Sequence, residues 1–199
     1  MTDVDILSLS NFSGLAATVT LSFNFLLGML LATGYKRSTV WKKLPIRLRQ
    51  LDVNNLHNWT AYLALALAVL HPLFLPFAPS LKFGMGDIVF PIHAPHQKWI
   101  VALGTVSLAA LIMVILTTQK IIKQRMGFRI WKTVHLISYG MAILFVAHGL
   151  MMDPDLKDRS IDFFDGEKLL SVFCGLLLLA AGIFRYRFHQ QNKKRLQLS

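Results

Sequence analysis

Four of the seven histidines stand in stretches that contain no Asp, Glu, Lys or Arg: His57, His71, His135 and His148. An ionisable side chain placed in hydrocarbon is expensive, and by default it marks function and has a partner. Imidazole binds metals through either ring nitrogen and is a common axial ligand of haem iron. His57 and His71 are 14 residues apart, and His135 and His148 are 13 apart. Two spaced pairs point to two metal centres, each taking one imidazole from each segment. The chemistry expected of iron held in that way is one-electron transfer. Cys174 is the only cysteine, which excludes an intrachain disulfide, a cysteine-ligated iron–sulfur cluster and a C-x-x-C-H attachment. Any haem is then held non-covalently, as haem b.

The segments that must position these residues are apolar. The 199 residues are 54% hydrophobic and only 16% charged, too apolar for an ordinary soluble domain. Five blocks are free of charge: 13–33, 55–78, 99–118, 133–152 and 169–184. A helix needs roughly 17–25 such residues to cross about 30 Å of hydrocarbon. The first four blocks suffice, and Lys168, Arg185 and Arg187 can snorkel to lengthen the fifth. The fold class is all-α, an integral membrane bundle of five transmembrane helices.

The net charge of +11 has a sidedness that explains it without nucleic acid. Sixteen of the 21 basic residues flank the blocks on one side, among them Arg47, Arg49, Arg129 and Lys132; nine of the ten acidic residues lie on the other. The positive-inside rule puts the N-terminus outside and the C-terminus in the cytoplasm. The location is then the cell membrane, or the inner membrane of a bacterium. Residues 1–12, with Asp3 and Asp5, read as a short outer tail without a secretory signal's basic n-region. Residues 13–188 form the membrane domain, and 189–199 a basic cytoplasmic tail.

In this topology the second and fourth helices are parallel. His57 and His135 lie at one depth near the inner face, His71 and His148 at another near the outer face. A rise of about 1.5 Å per residue separates the layers by roughly 20 Å. The azimuth is less regular: at about 100° per residue, 14 residues return to within about 40° of the same face, whereas 13 end about 140° away. A tightened turn, tilt or differing rotamers must make up the difference in the fourth helix, which Gly140 would permit, and Pro72 should distort the second just after His71. Trp59 and Trp131 each lie close to an inner histidine. Asn24 reads as helix–helix glue. His93 and His96, in the outer segment 79–98, are an incomplete metal site by themselves, and His189 an interfacial tail residue. Gly84-Met85-Gly86 lacks a third glycine and reads as loop. The outer segment 153–168 is acidic through Asp153, Asp155, Asp158, Asp162 and Asp165, which favours a cationic acceptor or a metal ion.

At the histidine pairs the chain resembles the ferric reductase-like transmembrane family, over about residues 13–188. That family includes the haem core of NADPH oxidases, yeast ferric reductases and the haem subunit of the periplasmic methionine sulfoxide reductase system. Its two ligand helices carry the same unequal 14- and 13-residue spacings. The resemblance implies transmembrane electron transfer through two bis-histidine b-type haems, from a cytoplasmic-side donor to an acceptor outside. The chain departs from the family in having no fused flavin domain and one helix fewer than the oxidases. About a dozen residues follow the fifth helix, so the expected donor is a separate flavoprotein, a quinol, or FMN or FAD docked at the cytoplasmic face. The acceptor is an external protein, a ferric chelate or oxygen. Two other readings are open: a haem-binding redox sensor or assembly module without its own turnover, and a haem-free helical membrane scaffold.

Overall fold

A computed structural model of the chain describes residues 2–153, 155–156 and 164–197; the side chains of Arg37 and of residues 192–197 are not described. Asp158 and Asp162 of the acidic segment, and the side chains of Lys193, Lys194 and Arg195, therefore lie outside the described residues. Five helices are long and apolar enough to cross a membrane. The first is Asp3–Ala32, the second Val53–Leu73 and the third Lys98–Thr118; the fourth is the bent pair Lys120–His135 and Ile137–Met151, and the fifth is Gly166–Gln197. No strand occurs among the described residues.

The first helix begins at Asp3, inside the stretch expected as an outer tail. Thr2 and Asp5 form a capping box: Thr2 Oγ1 accepts from the Asp5 N–H at 3.3 Å, and the Asp5 carboxylate accepts from the Thr2 N–H at 2.8 Å. Carboxylates in a first helical turn satisfy free N–H groups and complement the helix dipole. The charges that mark the segment as non-membrane therefore also start the helix. The fifth helix likewise outruns its charge-free block and continues through Gln197, so most of the expected basic tail is helical. In the connection between the second and third spans Met85–Val89 forms a short helix, its start fixed by the Gly84 N–H bonding the Asp87 carboxylate at 2.8 Å. Gly84-Met85-Gly86 is thus a helix start rather than a plain loop.

The second helix is capped by Asp52, whose Oδ1 accepts from the Asn54 and Asn55 N–H groups at 3.1 Å. It runs unbroken past His57 and His71 and stops one residue beyond Pro72, passing into a 3₁₀ turn over Leu75–Phe77. A proline cannot donate to the helix ladder, so termination here follows from its chemistry. The first and second helices pack most extensively, followed by the third against the outer part of the fourth. All five spans meet in one core of Leu21, Phe25, Met29, Ala64, Leu111, Ile115, Met141, Phe145 and Leu178. Phe25 and Phe145 stack there, with ring centres 6.0 Å apart. Outward, Phe23, Leu63, Ile143, Phe173 and Leu179 are exposed, a density of apolar surface suited to lipid.

Candidate metal centres

The structure brings the four histidines together as two facing pairs. His57 and His135 have ring centres 6.5 Å apart with planes at 74°. His71 and His148 have ring centres 6.2 Å apart with planes at 75°. A metal–imidazole bond is about 2.0–2.1 Å, and the ring centre lies roughly 1.1 Å behind the nitrogen, so two rings sharing one ion stand about 6.3 Å apart. Both separations fit a single iron between the rings.

Hydrogen bonds decide which ring nitrogen is offered. His71 Nδ1 donates to the Ser10 carbonyl at 2.8 Å, His148 Nδ1 to the Ile100 carbonyl at 2.8 Å, and His57 Nδ1 to the Asn24 carbonyl at 3.1 Å. A carbonyl only accepts, so Nδ1 bears the proton and Nε2 keeps its lone pair for a metal. His135 Nδ1 is the exception: it is buried without a hydrogen-bond partner, as is Trp131 Nε1. The His135 ring instead stacks on Trp131 one turn earlier, centres 5.2 Å apart and planes at 22°. Asn24 serves both neighbours, its side-chain amide donating to the His57 carbonyl and to Thr60 Oγ1.

The irregularity of the fourth helix lies at Leu136, directly after His135, and not at Gly140, which sits within the regular segment Ile137–Met151. Leu136 joins the two helical segments with ψ −17°, and Tyr139 N–H reaches back only three residues to its carbonyl at 3.1 Å. Such a tightened turn carries more rotation per residue than an α-helix. The Ser138 hydroxyl donates to the His135 carbonyl at 2.7 Å; side-chain bonding of this kind competes with the helix ladder and bends it. A second break, at Gly127 with φ 75° and ψ 158°, separates the basic start of the fourth helix from the span proper.

A cavity open to the surface lies at the outer pair, lined by His71, His148, Phe145 and Lys168 among others. Lys168 is buried, its Nζ donating to the Gly149 carbonyl at 3.1 Å and to the Met152 carbonyl. Asp153, expected on an acidic rim, is buried too: its Oδ1 accepts from the Asp155 N–H, and its own N–H donates to Gln97.

The cations nearest the inner pair are ones that charge counting did not single out. Lys123 Nζ sits 3.8 Å from the centre of the Trp131 ring, and Arg185 donates to the Tyr139 hydroxyl one turn after His135. Arg47, Arg49, Arg129 and Lys132 are exposed. The approach of Lys123 to Trp131 across the kink at Gly127 was not legible from the charges. His93 closes a 3₁₀ turn, and the His96 ring lies 6.3 Å from that of Phe83. No group of three or more metal-binding side chains occurs among the described residues. His189 is exposed on the fifth helix.

Residues 13–146 match the family model described as ferric reductase like transmembrane component. That stretch contains His57, His71 and His135, and it ends two residues before His148, within the same helix. No curated protein and no solved structure matches the chain. With about two thirds of its length in the match and five apolar helices around it, this multi-pass membrane protein belongs to the ferric reductase-like transmembrane family, whose common work is moving electrons across a membrane.

Proposed function

We propose that the protein is the membrane haem subunit of an oxidoreductase and passes electrons through two b-type haems, one held by His57 and His135, the other by His71 and His148. The observation that carries this reading is the repeat of one arrangement at two depths: facing imidazoles at 6.5 and 6.2 Å, with three of four Nδ1 protons committed to backbone carbonyls. A haem with both axial positions filled supplies reversible one-electron storage and leaves no open position for oxygen or substrate. The chain's own part is to hold Nε2 of His57, His71 and His148 at the metal with His135 facing His57, to exclude water with the Phe25–Phe145 core, and to bury the outer ligands. Phe145 serves both core and cavity.

The charge distribution supports an N-terminus outside and a C-terminus in the cytoplasm of a cell membrane, so the inner pair faces the donor. Electron movement outward from a negative interior is favoured by about 2.3 kcal/mol per 100 mV over the full membrane. The donor is a separate flavoprotein, a quinol, or docked FMN or FAD, and the acceptor an external protein, ferric chelate or oxygen. Purified protein should hold two low-spin b haems per chain. His71→Ala should remove mainly the outer one and His57→Ala mainly the inner one. A reduced-minus-oxidised spectrum without b-type bands sinks the reading. One haem per chain, with His71 and His148 dispensable for it, reduces it to a single inner centre. Reporter fusions after Gln50, Gly127 and Ser199 should all report cytoplasmic; an external signal from the Gly127 fusion overturns the orientation.

A further inference from the structure

Three of the four ligand candidates rest on the same local device, and a glycine is part of it each time. The carbonyls that accept from Nδ1 belong to Ser10, Asn24 and Ile100, and four residues after each stands Gly14, Gly28 and Gly104. In an α-helix the Cα–Cβ bond tilts toward the N-terminus, so a side chain covers the turn before its own Cα. The residue that would cover a carbonyl at position i is therefore the one at i+4. Glycine there leaves the carbonyl open to a second donor beside its helical N–H.

The space is used. A Cβ built on Gly14 would stand 2.8 Å from His71 Nδ1 and 3.0 Å from its Cε1. One on Gly104 would stand 2.8 Å from His148 Cε1 and 3.0 Å from its Nδ1, and one on Gly28 3.2 Å from His57 Cε1. On the first helix the two steps are 14 residues apart, the spacing of His57 and His71 on the antiparallel second helix. The two helices thus match notch to ligand across close to four turns.

Resting on the haem reading above, we infer that Gly14, Gly28 and Gly104 are positioning residues: each opens a notch through which an imidazole reaches a helix carbonyl, and this presents Nε2 to the metal. His135 has no such step and is held by stacking on Trp131.

The test is a set of alanine variants in the full-length protein, read by haem per chain, low-spin electron paramagnetic resonance and redox titration of each component. Groups that hydrogen-bond to metal-bound histidines affect metal affinity by about 10–100-fold. Gly14→Ala and Gly104→Ala should weaken haem retention at the outer pair about tenfold and shift that component's low-spin signal and midpoint, with the inner component unchanged. Gly28→Ala should act on the inner component, and less strongly, because its Cβ meets the ring at 3.2 Å and not 2.8 Å. Alanine is the better helix former, so intrinsic helicity opposes any loss. Gly175→Ala is the control for crowding alone: its Cβ would meet Val146 at 3.1 Å and no histidine, and both haem signals should keep their ratio. Unchanged signals in Gly14→Ala and Gly104→Ala overturn the inference, as does equal loss of both haems in the manner of the control. If the outer variants do not accumulate, proton hyperfine spectra of the unmodified protein decide it: the outer ligands must carry exchangeable Nδ1 protons, and an outer histidine bound through Nδ1 overturns the assignment. Absence of haem from the unmodified protein would instead defeat the haem reading itself.

Discussion

At the outer pair both imidazoles donate to backbone carbonyls at 2.8 Å, whereas at the inner pair His57 does so at 3.1 Å and His135 not at all. The ring geometries are nearly the same, 6.2 Å and 75° against 6.5 Å and 74°. Equal geometry therefore rests on unequal support. Backbone carbonyls are fixed by the helices that carry them. A stacked indole with Lys123 above it is fixed only by side-chain packing. Two backbone carbonyls hold the outer pair, whereas one carbonyl and a stacked indole hold the inner pair.

The most severe break of that contrast is His148→Ala. It should abolish the outer haem and leave the inner one in place, seen as one haem per chain with a single redox component; loss of both would mean that the two pairs do not form independently. Next in size is retention. A net hydrogen bond contributes about 1 kcal/mol, so the one extra bond at the outer pair corresponds to about fivefold. Haem transfer to an apo-globin should empty the inner site about fivefold sooner, and equal or reversed rates would remove the contrast in support. Smaller again is Trp131→Ala, which removes the stacking surface and the seat of Lys123. A cation–π contact contributes about 0.5–1 kcal/mol at exposed sites, so redox titration should move only the inner midpoint, by an equivalent modest amount. Smallest is Asn24→Leu. Interhelical hydrogen bonds in membrane proteins average about 0.6 kcal/mol, and thermal unfolding should fall slightly, with the inner haem released somewhat earlier than the outer.

The number of helices and the partnering of the histidines were legible because both depend on side chains: charge-free blocks and the 14- and 13-residue spacings. What was not legible depends on the backbone. The carbonyls of Ser10, Asn24 and Ile100 look like those of any other residue in a sequence. Only the glycines four positions later advertise them, and a glycine in a membrane helix has many explanations. The irregularity at Leu136 was sought at Gly140 because glycine is the usual site of one, whereas it stands beside the Ser138 hydroxyl that bonds the His135 carbonyl. Asp3 and Asp5 were read for their charge alone. The spacing of Thr2 and Asp5 was a readable capping signal, and it extends the first helix to the level of Ser80, whose N–H bonds the Asp3 carboxylate at 3.0 Å.

The break at Gly127 has a consequence for the basic connection before the fourth span. In a straight helix Lys123 would lie about 12 Å along the axis from Trp131. With φ at 75° at Gly127, the chain doubles back and its ammonium reaches 3.8 Å from the indole centre. Lys123 of the basic connection thus touches the same indole on which His135 stacks. Drawing Lys123 away from the indole would therefore reach His135 through Trp131, without any contact to the imidazole itself.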